Sequence, residues 1–254
     1  MEVHHHPIAI GSNTSRKKWT HYFWEFFMLF LAVTLGFFVE NQREHYIEHK
    51  REKAYIRSLV EDLKKDTANI RFSILRRDKT CKRIDSVVLL LKSKSPVTVS
   101  RRIYYLARQI PYSGGPRLGI STKTFDQLKS SGNLRLIRKM QILDMISDYY
   151  YDAATMNWAL DMSFQNQHDL FLSVHKLFDA GTFQQMMDPV NPLIIHEPVV
   201  NPPLLTTDAI VINEICTRFH FTKGTHQVIM RDYEELGHKA IELMQALQKE
   251  YHLK

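Results

Sequence analysis

One apolar stretch near the N-terminus limits what this chain can fold into more than any other feature. From Tyr22 to Val39 the sequence reads YFWEFFMLFLAVTLGFFV, eighteen residues with a single charge at Glu25. As an α-helix this stretch is about 27 Å long, close to the thickness of the hydrocarbon core of a bilayer. After Glu25 its one hydrogen-bonding side chain is Thr34, so it lacks the polar face of a soluble amphipathic helix. The stretch predicts a single transmembrane helix over 22–39.

The flanks of this stretch fit an uncleaved anchor better than a removed signal peptide. Basic residues RKK at 16–18 precede it, and Trp19, Tyr22 and Trp24 lie where an interfacial aromatic belt is expected. No pair of small residues suited to signal peptidase follows, because FFVENQ occupies 37–42. The sequence therefore predicts a signal anchor whose partner is the lipid bilayer.

The placement of basic residues predicts the orientation of the chain. Three basic residues lie immediately before the span, whereas Arg43 and three more at 50–53 follow it, most of them farther away. Because basic residues next to a bilayer favour the cytoplasmic side, we expect the tail 1–21 in the cytoplasm and the domain 40–254 in the periplasm.

Three residues of the span are candidates for contact with a second transmembrane helix. Glu25 lies about one turn into the span, where its carboxylate either reaches the headgroups or contacts a partner helix. Ala32 and Gly36 are four residues apart and share a helix face, the small-xxx-small pattern that allows close packing. Self-association or an envelope protein partner is therefore expected.

After the span one helix is predicted over about 40–95, because Pro96 disfavours a helical residue before it. Its apolar side chains alternate four and three residues apart, as in a coiled-coil seam. The seam consists of Ile56, Val60, Leu63, Thr67, Ile70, Ile74, Arg77, Cys81, Ile84, Val88 and Leu91. It could pair with a second copy or pack within its own domain, and the pattern alone does not choose.

The rest of the chain is also predicted to be helical. With 9 glycines and 9 prolines in 254 residues, the chain favours long helices. Apolar periodicity predicts a long helix over about 134–180 and C-terminal helices over about 207–252, with a break at Gly224. The expected fold class is all-α, with an N-terminal transmembrane helix that continues into a long helical stalk and an irregular helical bundle.

Shorter elements join these long helices. Short helices are expected at 100–109 and between Thr122 and Gly132. Connections rich in proline and glycine are expected at 111–119 and 188–205.

The charge of the chain favours anionic surfaces as partners. Its net charge is +7 and its pI is about 9.3. The basic residues are interspersed with acidic ones, which favours an acidic lipid leaflet over nucleic acid, so no nucleic acid is predicted.

The two cysteines match no metal-binding spacing. Cys81 and Cys216 both fall on predicted apolar faces, as expected for buried thiols. If the domain lies outside the cytoplasm, a disulfide between them is the alternative.

One motif has the spacing of an inverted zinc peptidase. In HYIEH at 45–49, His45 and His49 share a helix face and could bind zinc beside Glu48 as general base. The motif lies in the strongly charged segment 40–53, and no third ligand is evident. We favour a solvated helix face and predict no enzyme, no catalytic or metal site and no cofactor.

Several segments resemble a group of uncharacterised single-span membrane proteins of Gram-negative bacteria, which is similar in turn to a wider domain-of-unknown-function family. These segments are MEVHHHP at 1–7, EFFMLFLAVTLGFF at 25–38, ENQREH at 40–45, YIRSLVEDLK at 55–64 and TFDQLKSSGNLRLI at 124–137. The resemblance implies native histidines at 4–6, an inner-membrane anchor and a periplasmic helical domain, and it implies no activity.

Three functional hypotheses follow from the sequence. The first is a membrane-anchored helical scaffold or interaction module of the bacterial envelope. The alternative is an extracytoplasmic helical bundle that binds a small molecule and signals through a partner. A membrane-bound hydrolase using His45, Glu48 and His49 ranks last.

Overall fold

The computed structural model describes residues 15–110 and 118–253. In these residues the chain is all-α, as expected, and its one β interaction is a single bridge between Met187 and Ile195. Two short 3-10 turns occupy Pro96–Val99 and Asn133–Leu136. The α-helices are α1 (Ser15–Leu91), α2 (Ser100–Gln109), α3 (Lys123–Ser130), α4 (Met140–Thr155), α5 (Asn157–Val174), α6 (Ala180–Gln185) and α7 (Ala209–Glu250).

The chain divides into two units, Met1–Lys53 and Ala54–Lys254. In its described residues the first unit consists of the N-terminal part of α1. The second unit holds the rest of α1 and all the other helices. The histidines at 4–6 lie outside the described residues, and so does most of the loop expected at 111–119.

Within the second unit, α1 and α7 run antiparallel. Asp85 of α1 forms an ion pair of 2.6 Å with Lys223 of α7. Farther along, Ile70 lies so close to Gly237 that a Cβ there would be 3.3 Å from the Ile70 Cγ2. Glycine thus allows the two helices to approach closely at this level.

The predicted seam of α1 packs inside its own domain. Most of its members are buried in the second unit, namely Ile56, Val60, Leu63, Ile70, Arg77, Cys81, Ile84 and Leu91. Of the two possibilities that the sequence left open, the seam packs within its own domain and does not pair with a second copy. In the folded domain the seam is not free to form a coiled coil between two copies.

Two clusters of buried side chains form the core of the second unit. The first joins α1 to α3, α4 and the C-terminal half of α7, and it includes Leu63 and Leu243. The second joins the end of α1 to α2, α6 and the N-terminal half of α7, and it includes Leu91, Tyr104 and Phe219. Both helices that run the length of the unit therefore contribute to both clusters.

The long helix expected over 134–180 is interrupted at Met156, between α4 and α5. One continuous helix would place Phe164 and Phe171 on the same face as Ile146 and Tyr149 of α4, which are buried. The two phenylalanines are exposed instead, and Leu170 is buried. The interruption turns a different face of α5 toward the core, which a pattern that assumes a continuous helix does not reveal.

The break expected at Gly224 is also wrong, because α7 is one helix from Ala209 to Glu250. A glycine inside a helix costs about 1 kcal/mol relative to alanine. Here Thr222 and His226 on either side of it are buried, so tertiary packing outweighs that cost. The helix begins after Asp208, whose carboxylate accepts hydrogen bonds from the backbone N–H groups of Ile210 and Val211.

The shorter elements follow their local sequence signals. The helix expected over 100–109 is α2, and α3 begins directly after Thr122. Gly132 has a φ of +68°, the left-handed conformation that favours glycine after a helix end. The end of α1 at Leu91 comes a few residues earlier than the expected position near 95, before the turn that leads to Pro96.

Candidate functional site

The first unit contains an apolar helical surface that no described residue of that unit covers. From Trp19 to Val39 every side chain is exposed except Leu31, which is half-buried. An eighteen-residue window of this helix has a mean hydropathy of 1.9, and none of that window is buried. By length and composition, this is one helix able to cross a membrane.

The few polar groups of this surface have partners within the helix. The Glu25 carboxylate lies 3.2 Å from Nε2 of His21, one turn toward the N-terminus. The Thr34 hydroxyl donates a 2.7 Å hydrogen bond to the carbonyl of Phe30. Thr34 therefore carries no unsatisfied donor, which is the condition for placing a hydroxyl in lipid.

The small-residue pair of the predicted span lies on an open helix face. Ala32 and Gly36 are both exposed. A Cβ built at Gly36 meets no other atom within 4 Å. The face is therefore sterically free to receive a second helix.

The histidines of the HYIEH segment each face a carboxylate on their own helix. Nδ1 of His45 lies 3.9 Å from the Glu48 carboxylate, and Nδ1 of His49 lies 3.3 Å from that of Glu52. Over residues 15–110 and 118–253, no group of three or more His, Cys, Asp or Glu side chains is placed to hold a metal ion.

Cys81 and Cys216 are buried free thiols, so the disulfide alternative is not realised. On α1, Cys81 lies between Arg77, which contacts His226 of α7, and Asp85, which contacts Lys223 of α7. On the antiparallel helix α7, Cys216 lies seven residues before Lys223. The two are thus offset by at least about 10 Å along the helix axes, beyond the roughly 7 Å between Cα atoms that a disulfide can span. Burial raises the pKa of both thiols.

A buried pair of carboxylates, which no local sequence pattern reveals, holds the segment before α3 against α1. Asp66 is fully buried, and it accepts hydrogen bonds of 2.8 Å from the Ser121 backbone N–H and from the Tyr149 hydroxyl. One turn earlier, Asp62 accepts a 2.5 Å bond from the Thr124 hydroxyl. Burial raises the pKa of Asp66, and the two hydrogen bonds oppose that effect.

A buried cation lies next to a neutral histidine deeper in the same unit. Arg77 of α1 is 2.8 Å from Nδ1 of His226 on α7, and its guanidinium lies over the Tyr233 ring at 5.5 Å. Arginine can only donate, so Nδ1 accepts and the His226 proton sits on Nε2. Burial, and then the Arg77 charge, lower the pKa of His226 to about 4.

The second unit also contains a basic cavity of about 540 Å³ between α1, α2 and residues 187–195. The polar side chains that line it are Arg76, Lys79 and Arg83 of α1 with Tyr105 and Gln109 of α2. Apolar side chains of 187–195 form the facing wall. The spacing of 76, 79 and 83 along one helix face was visible in the sequence, but the facing wall was not.

No protein-family model, curated protein or solved structure matches this chain. The resemblance to single-span proteins of Gram-negative bacteria therefore stays a prediction.

Proposed function

We propose that this chain is a single-pass protein of the bacterial inner membrane, and that helix 22–39 anchors a helical interaction domain. The observation that carries the proposal is the exposed apolar surface of α1 from Trp19 to Val39. In water, that exposed area would cost roughly 25 cal/mol per Å², a cost that lipid removes. The basic residues at 16–18 support a cytoplasmic N-terminus and a periplasmic domain.

The interaction role rests on the span rather than on the predicted coiled-coil seam. The seam is buried within the domain, so a second copy has no access to it. The face of Ala32 and Gly36 is open, and the Glu25 carboxylate near the end of the span can form a polar contact with a partner helix. We therefore assign self-association to the span.

Gly36→Leu is expected to weaken self-association in membranes by about tenfold, because a leucine side chain prevents close approach of two helices. Glu25→Ala is expected to act in the same direction through loss of a polar contact. Crosslinking of the full chain in native membranes, titrated against expression level, measures the dimer fraction.

Phe38→Leu is the matched control, because residue 38 lies on the opposite face of the helix from Gly36. It should leave the dimer fraction unchanged. Equal crosslinking in all four proteins, or monomer alone in the unmodified chain, would contradict the assignment to the span.

A small-molecule-binding domain that signals through a partner is the second candidate. The basic cavity favours it, because a concave site with a few convergent polar groups and apolar walls is typical of small-molecule sites. A thermal-shift screen of the full chain in a mild detergent discriminates the two functions. Stabilisation by a class of metabolites favours the second, and a flat response across the screen favours the first.

A further inference from the structure

We propose that the basic cavity binds a soluble organic phosphate, with the phosphate on Lys79 and Arg83 and its apolar body against the segment 187–195. This inference deepens the ligand-binding candidate and does not depend on the membrane anchor. It rests on three features of the second unit, which are the unneutralised charge, the fixed apolar wall and the size of the cavity.

The acidic residues nearest in sequence to the two cations are engaged elsewhere. Asp78 forms a 2.6 Å ion pair with Lys82, and Asp85 forms one of the same length with Lys223 of α7. Among the described residues, neither Lys79 nor Arg83 has a carboxylate within ion-pair distance, and no carboxylate lines the cavity. Like charges on one helix face repel, so an anion bound there would relieve a local cost.

The apolar wall is held in place by its own hydrogen bonds. The Asp188 carboxylate accepts from the backbone N–H groups of Val190 and Asn191, and its other oxygen lies 3.1 Å from Nε2 of His196. The Asp188 backbone N–H donates to the carbonyl of Ile194 at 3.0 Å. These bonds close the segment into a turn, so its apolar side chains face the cavity before any ligand arrives.

The cavity combines the groups that an organic phosphate requires. Its volume of about 540 Å³ falls within the usual range of small-molecule sites. The Arg83 guanidinium can bind two phosphate oxygens at once, and the Lys79 ammonium adds a point charge. Leu193 is 85% exposed, so it offers apolar surface that an apolar body can cover.

The test is calorimetric titration of the full chain, held in nanodiscs of phosphatidylcholine, with 1-naphthyl phosphate. We expect one saturable site per chain. We also expect 1-naphthyl phosphate to bind about tenfold tighter than inorganic phosphate, which lacks the apolar body, or 1-naphthol, which lacks the phosphate. The combined variant Lys79→Gln/Arg83→Gln should weaken binding by about tenfold or more.

The control Lys64→Gln/Lys139→Gln removes the same charge from two exposed lysines that are paired with Glu61 and Glu250. It should change affinity less than about twofold. The proposal would be overturned if the chain bound no more 1-naphthyl phosphate than empty nanodiscs do, or if the site variant and the control variant lost affinity equally. Equal affinities for 1-naphthol and 1-naphthyl phosphate would also overturn it. Loss of 1-naphthyl phosphate binding when phosphatidylglycerol is added to the nanodiscs would assign the cavity to a lipid headgroup. That result would also overturn the proposal.

These results are distinguishable from failure of the anchor. A chain that does not enter nanodiscs contradicts the membrane proposal, and the same titration can then be run on the chain in solution. Because Lys79 is exposed and Arg83 half-buried, unchanged circular dichroism melting of the variant is expected and separates lost binding from lost folding.

Discussion

Asp66→Ala is expected to lower the free energy of unfolding of the helical domain by about 3 kcal/mol. The carboxylate is fully buried and accepts two hydrogen bonds, from the Ser121 backbone N–H and from the Tyr149 hydroxyl. Alanine leaves both donors buried without an acceptor, and each such donor costs about 1–3 kcal/mol. Urea unfolding of the full chain in mild detergent, followed by circular dichroism, measures the change.

Asp66→Asn is the matched control, because it keeps an acceptor for the Ser121 N–H and an amide beside the Tyr149 hydroxyl. Burial already raises the pKa of Asp66, so loss of the charge itself is expected to cost less than about 1 kcal/mol. In a Tyr149→Phe background, Asp66→Ala should destabilise the domain less, because the Tyr149 hydroxyl is no longer there to be left without an acceptor. Equal destabilisation by alanine and asparagine would contradict this account.

Acidification is expected to remove about 3 kcal/mol of stability through His226. Its pKa falls from an ordinary 6.5 to about 4 because the ring is buried beside the Arg77 guanidinium. The folded state therefore disfavours the protonated ring. The stability that His226 contributes is complete above pH 6.5 and is lost as the pH falls toward about 4.

His226→Asn isolates this effect, because its side-chain oxygen replaces Nδ1 as the acceptor for Arg77 and does not titrate. Between neutral pH and about pH 4, the unmodified chain should lose about 3 kcal/mol more than the variant. Asp66 acts in the opposite sense. Because the pKa of Asp66 is raised, its contribution to stability is largest below the ordinary 3.8 and becomes smaller as the pH rises. This contribution is the same in the unmodified chain and in the His226→Asn variant. Parallel pH profiles of the two proteins would contradict the assignment.

The sequence predicted those features that depend on local pattern. The seam of α1 follows from the alternation of apolar residues, and its members from Ile56 to Leu91 indeed form most of the inward face of that helix. The bounds of α2 and the positive φ of Gly132 follow from short-range signals. Such features require only that neighbours in sequence be neighbours in space.

The missed features depend on partners that are distant in sequence. Asp62 and Asp66 look like ordinary surface acids until residues 121–124 and Tyr149 pack against them. The basic cavity exists because residues 187–195 lie opposite α1. The continuity of α7 through Gly224 likewise reflects packing on both sides of a residue whose own preference is to end a helix.

The exposed apolar part of α1 is expected to reside in lipid. Alkaline carbonate washing of membranes without detergent, followed by ultracentrifugation, tests this location, with a chain lacking residues 22–39 as the control. Integral anchoring predicts that the full chain sediments with the membranes and that the shortened chain is released. Recovery of the full chain in the supernatant would contradict the anchor.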